Sequence, residues 1–126
     1  MKKILTLVDD IYEDLELWYP KIRLEEEGWL VHVAGPETNR TYKGKHGYPC
    51  HATIDIADVE STDYDGLLVP GGFAPDKLRR DSNVLRLVRE FNDQKKPIAF
   101  ICHAGWILIS AGILKGRKAT STVGIK

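Results

Sequence analysis

Four short apolar runs, Ile4–Val8, Trp29–Ala34, Leu67–Val69 and Pro97–Ile101, are spaced along the chain with room for a helix between most of them. Apolar runs of this length suit strands buried on both faces. Their alternation with helix-length segments calls for a mostly parallel sheet covered by helices on both sides. In open sheets of that kind, ligands bind beyond the carboxyl ends of the strands. The segments that leave those ends, Asp9–Glu13, Pro70–Asp76 and Cys102–Gly105, are therefore expected to meet at one crevice.

The intervening segments fit this scheme. From Glu13 to Gly28, apolar residues at Leu15, Trp18, Tyr19, Ile22 and Leu24 recur at helical spacing and are expected to face inward. Glu25–Glu27 lie on the wet side, and Pro20 should kink the helix. Asn83–Lys95 reads as an amphipathic helix with Val84, Leu87, Val88 and Phe91 inward, and Trp106–Ala111 as a helix ended by Gly112. Between residues 37 and 64, Thr41–Lys43 and Tyr48–Ile56 suggest short strands off the main sheet, around turns at Gly44 and Gly47. The expected fold is α/β, a flavodoxin-like three-layer sandwich in a single domain spanning residues 1–126. A possible strand at Thr122–Lys126 has no closing helix after it, so a final strand and helix are expected to be missing.

Bulk composition excludes some partners. Lysine and arginine number 18, as do aspartate and glutamate, so no net charge attracts nucleic acid or an anionic membrane. No apolar run reaches the roughly 18 residues a membrane-spanning helix needs. The lysines at positions 2 and 3 imitate a signal peptide, but the apolar stretch stops at Asp9 without a cleavage site. With two cysteines, Cys50 and Cys102, a core of this size needs no disulfide, and a cytoplasmic location is the expectation.

The sharpest chemical feature is Cys102, placed where an apolar strand turns at once into a helix. That is the layout of a nucleophile elbow. A helix N-terminus offers partial positive charge and free N–H groups, which favour a thiolate and cradle an oxyanion. The local pattern equally suits a buried core cysteine. His103 next door could serve a nucleophilic thiol, although adjacent side chains usually diverge. The Pro70–Gly71–Gly72 turn could aim a second N–H donor into the crevice or be an ordinary turn. Glu13 opens a helix, where an acid commonly complements the dipole.

Taken in order, Glu13–Asp14–Leu15–Glu16, Gly44–Lys45–His46–Gly47, Val69–Pro70–Gly71–Gly72, Ala74–Pro75, Ile101–Cys102–His103, Leu108–Gly112 and Gly116–Lys118 resemble the PfpI branch of the DJ-1/PfpI superfamily. The resemblance implies Cys102 as nucleophile, contacted by the carboxyl of Glu13, with N–H groups of Gly72 and His103 forming the oxyanion pocket. It implies that His103 pairs with an acid from a neighbouring subunit, which here would be Asp76 where protease-like members carry glutamate. Gly71, Ala104 and Trp106 would line the pocket. Ala104–Gly105–Trp106 departs from the Gly-Pro-polar sequence of close members, which alters the pocket wall. The activity implied is that of an intracellular peptidase, or a deglycase or glyoxalase acting on reactive carbonyls and glycation adducts. It needs no cofactor and works in a homo-oligomer with sites near a subunit interface. A non-enzymatic redox sensor or chaperone-like protein, using oxidation of Cys102, is the alternative.

Other classes fit less well. Val8–Asp9–Asp10 resembles the acidic pair of a phosphoacceptor receiver domain, but Pro70–Gly71–Gly72 stands where a receiver needs another aspartate. A glutamine amidotransferase elbow expects Gly-x-Cys-x-Gly. Cys50–His51 and Cys102–His103 offer too few ligands on one face for a closed zinc site, so no metal is expected. His32 is expected in solvent, and His46 in a turn.

Overall fold

The computed structural model describes residues 2–119. A five-stranded sheet runs in the order β5-β2-β1-β6-β7, formed by β1 (Lys3–Leu7), β2 (Leu30–Gly35), β5 (Ile54–Asp55), β6 (Gly66–Val69) and β7 (Ile98–Phe100). Every pairing in it is parallel, and central Leu5 lies between His32 of β2 and Leu67 of β6. The helices are α1 (Asp14–Glu26), α2 (Ala74–Leu78), α3 (Ser82–Asp93) and α4 (Gly105–Ala111). The β1-α1-β2 and β6-α3-β7 connections step in opposite directions along the sheet. Right-handed crossovers therefore put α1 and α3 on opposite faces, giving three layers.

On the α3 side the expected periodicity holds. Val84, Leu87, Val88 and Phe91 are fully buried and share one core cluster with Leu67, Val69, Ile107 and Leu108. The Asp81 carboxylate caps α3 by accepting from the Asn83 N–H at 2.8 Å. Gly112 closes α4 at φ +77°, a conformation that glycine adopts without steric cost.

The α1 side differs from expectation. Leu15 and Tyr19 are each 72% exposed and Ile22 is exposed as well, whereas Asp14 and Leu17 are buried and Trp18, Lys21 and Leu24 half-buried. Two stripes of helical spacing run along this helix, and the buried one contains an aspartate and a lysine. Apolar periodicity alone selects the other. Asp14 faces inward because its carboxylate has partners there, described below. Ala99 in β7 and Ile101 just after it are exposed rather than buried, and β7 is the edge of the sheet among the described residues. An apolar groove lined by Ile4, Leu24, Trp29, Leu68, Pro97 and Ala99 opens beside it.

The excursion off the sheet is an antiparallel hairpin of β3 (Arg40–Lys43) and β4 (Pro49–Ala52). His32 is not left to solvent: its Nδ1 lies 2.9 Å from the Tyr64 hydroxyl. Both cysteines are free thiols. The strand expected at Thr122–Lys126 lies outside the described residues.

Candidate active site

The three strand-end segments do converge: backbone pairing joins the first two, and Cys102 packs against Gly71. Tyr12 forms an antiparallel bridge with Gly72 and a parallel bridge with Gly44. The Glu13 N–H donates to the Gly71 carbonyl at 3.2 Å and the Phe73 N–H to the Ile11 carbonyl at 2.8 Å. Gly72 takes φ +79°, and a Cβ there would meet the Glu13 nitrogen at 2.5 Å, so both backbone conformation and space require glycine. Tyr12 itself is fully buried, its hydroxyl donating to the Tyr48 carbonyl at 2.6 Å and accepting from Trp18 Nε1 at 3.1 Å.

Cys102 follows β7 with φ +60°, a strained value for a residue with a side chain. A tight turn at Cys102–Ala104 then leads directly into α4. This is the geometry of an elbow. Cys102 is half-buried, which sets it apart from a fully enclosed core cysteine. Cys50 is the buried cysteine, on β4, and burial pushes its thiol up to about 11.

The carboxyl beside Cys102 belongs to Glu16. Its Oε1 accepts from the Gly71 N–H at 2.9 Å, and the Cys102 side chain lies close by. A Cβ placed on Gly71 would stand 2.6 Å from both Glu16 Oε1 and Cys102 Cβ, so the three groups are packed around one point. Burial raises the proton affinity of Glu16; the Gly71 N–H opposes this, and the nearby charge of Glu13 reinforces it. Glu13, expected in this position, instead lies at the crevice edge. Its Oε1 is 3.6 Å from His46 Nε2 and its Oε2 3.9 Å from Lys45 Nζ.

Helix geometry explains the exchange. Glu13 is the N-cap residue in extended conformation, whereas Glu16 sits in the first turn. Side chains on a helix tilt toward its N-terminus, so a residue in the first turn reaches back to the strand ends.

Other expected site residues are placed as follows. The Gly71 N–H is committed to Glu16, while the Gly72 N–H donates to no group among the described residues. Ala104 is buried under the elbow. The His103 ring lies edge-on to Trp106, with centroids 4.9 Å apart, and its buried Nδ1 has no hydrogen-bond partner among the described residues. Asp76 lies on α2 with an exposed carboxylate that accepts from Arg80 at 3.1 Å. No hydrogen bond or ion pair among the described residues joins it to His103. Asp14, not singled out from the sequence, accepts from the His46 and Tyr48 N–H groups, each at 2.9 Å. Burial pushes its carboxyl up, but these two donors outweigh that and leave it below the usual range. It thereby holds the hairpin turn whose Lys45 and His46 meet Glu13, and Lys45 Nζ sits 5.9 Å from the Phe73 ring centroid.

The model of the DJ-1/PfpI family matches residues 2–126. The chain belongs to the DJ-1/PfpI family. Among its curated DJ-1/PfpI relatives, Deglycase PfpI of Pyrococcus furiosus is 44% identical over 98% of this chain and 74% of its own length. General stress protein 18 of Bacillus subtilis is 41% identical over 99% of this chain and 73% of its own. The fold superposes with a TM-score of 0.98 on a two-domain Anabaena variabilis protein with DJ-1/ThiJ/PfpI-like and ferritin-like domains. That match is 35% identical and covers 100% of this chain and 36% of the other.

Proposed function

We propose that this chain is a cysteine-dependent, hydrolase-like enzyme for small reactive carbonyls and the glycation adducts they form. The observation that carries this reading is the half-buried Cys102, held at φ +60° on the elbow beside the Glu16 carboxyl and the Gly71–Gly72 turn. In the first step the Cys102 thiol gives its proton to solvent, Sγ bonds to the carbonyl carbon, and the C=O π pair moves to oxygen. That oxygen takes a hydrogen bond from the Gly72 N–H or from the elbow N–H groups, then a proton from Glu16, whose burial favours the protonated form. For a 2-oxoaldehyde such as methylglyoxal, the ionised Glu16 then takes the hydrogen of that carbon as a proton, the electron pair moves toward the neighbouring carbonyl, and protonation there leaves a thioester. Water attacks the thioester carbon, the C–S bond breaks, and a hydroxy acid and the thiol are released. The relative named a deglycase supports this substrate class, and the one named a general stress protein supports a protective setting. Peptides are the second substrate class.

The same reading places the protein in the cytoplasm as a homo-oligomer. Among the described residues no helix is long and apolar enough to cross a membrane. The exposed Asp76 is available to a neighbouring copy's His103. Steady-state consumption of methylglyoxal and of a peptide, by wild type and Cys102→Ser, tests the proposal. Loss of methylglyoxal turnover on substitution supports it. If wild type consumes neither substrate while mild peroxide oxidises Cys102 selectively, the redox-sensor reading takes its place.

A further inference from the structure

Among the described residues, the His103 imidazole has no acid, carbonyl or hydroxyl on its buried Nδ1. A histidine that serves a reacting thiol is usually oriented through that second nitrogen, so something else must fix this ring. Its aromatic neighbour is Trp106, three residues along the same helical segment, at an interplanar angle of 64° and a centroid distance of 4.9 Å. Trp106 is itself braced. The guanidinium of Arg79, at the C-terminal end of α2, stands 5.3 Å from the Trp106 ring centroid. Arg79 Nε donates to Ser110 Oγ at 2.9 Å, and Ser110 lies four residues beyond Trp106 on the same face of α4. Arg79 is thus tied to α4 at two points one helical turn apart, and the indole it contacts also contacts the imidazole. The ring nitrogen left accessible is Nε2.

We propose that Trp106, braced by Arg79, is the positioning residue for His103: aromatic packing sets the imidazole with Nδ1 dry and Nε2 presented, without an orienting acid from the same chain. This rests on the reading that His103 works with Cys102, but its first test does not depend on activity. In an NMR spectrum of the full chain, the His103 ring protons should carry the ring-current shift of the indole. Trp106→Gln should abolish that shift, and Trp106→Phe should keep part of it. Arg79→Gln, which leaves the indole in place, should reduce it. In steady-state assays with methylglyoxal, Trp106→Gln should lower kcat by at least tenfold with KM changed less than threefold, and Trp106→Phe should lower kcat less. A His103 spectrum unchanged by Trp106→Gln and Arg79→Gln would overturn the proposal. A change confined to KM would also overturn it, making Trp106 a wall of the substrate pocket and nothing more. If the NMR shifts behave as expected while His103→Ala turns over normally, the positioning stands and the role given to His103 falls.

Discussion

Gly71→Ala tests the packing at the centre of the site. Gly71 is not among the positive-φ residues, so alanine suits its backbone and the effect is steric. The new Cβ would stand 2.6 Å from Cys102 Cβ, 2.6 Å from Glu16 Oε1 and 3.0 Å from the Ile101 carbonyl oxygen. Carbon atoms in contact prefer about 3.5–4.0 Å, so the elbow must retreat by about 1 Å or the Glu16 carboxyl must leave. Overpacking of this kind costs about 1–3 kcal/mol of stability. A displacement of about 1 Å at reacting atoms can lower the rate by about 100-fold. Urea unfolding should therefore show a loss of about 2 kcal/mol, and carbonyl turnover should fall by at least an order of magnitude. Gly28→Ala is the control: at φ +83° with nothing within 4 Å of its Cβ, it should cost about 1 kcal/mol of backbone strain and leave turnover alone. If Gly71→Ala melts and turns over like wild type, the tight contact among Gly71, Glu16 and Cys102 is refuted.

Three further outcomes are expected. Asp14→Asn should lose about 2 kcal/mol at neutral pH, because one of two charge-assisted hydrogen bonds becomes a donor facing a donor. Asp14 is held below its usual range, so its stabilisation is present above the unfolded value of 3.8 and lost as pH falls through the folded one; unfolding curves for the two proteins should converge in strong acid. Glu16→Gln should lower turnover yet gain stability relative to wild type as pH rises above the ordinary value of 4.5, since ionising the buried carboxyl opposes folding there; a uniform loss across pH, read by thermal melts, would contradict this. Iodoacetamide at neutral pH should label Cys102 before Cys50, whose buried thiol is held at about 11, and mass spectrometry of the peptides decides the order.

What could be read without coordinates was whatever depends on strand and helix periodicity. The short apolar runs could only be strands of a parallel sheet, and that topology already brought the segments after β1, β6 and β7 to one edge. Chain order placed Cys102 between a strand and a helix, which suited an elbow and a buried core cysteine equally; the turn at φ +60° is visible only in the structure. Facing was harder. Choosing Glu13 over Glu16 required knowing which residue is the cap, and a shift of three residues there reverses which carboxyl reaches the thiol. The inward stripe of α1 was hidden because Asp14 and Lys21 occupy it, and a buried carboxylate is legible only once its N–H donors in the hairpin turn are known. The Arg79–Trp106–His103 stack joins α2 to α4, and no local pattern encodes a contact across that distance in sequence.

The hairpin of β3 and β4 gives this architecture room to diversify. It stands outside the main sheet and is joined to the crevice at Tyr12 and Asp14, with no hydrogen bond to the elbow among the described residues. Insertions or changes of charge between Lys45 and Gly47 could reshape what enters the crevice without disturbing the contact of Glu16 with Gly71 and Cys102. Selection could then act on substrate range and reactivity as two nearly independent traits, with exposed turn residues varying freely over a fixed reactive centre.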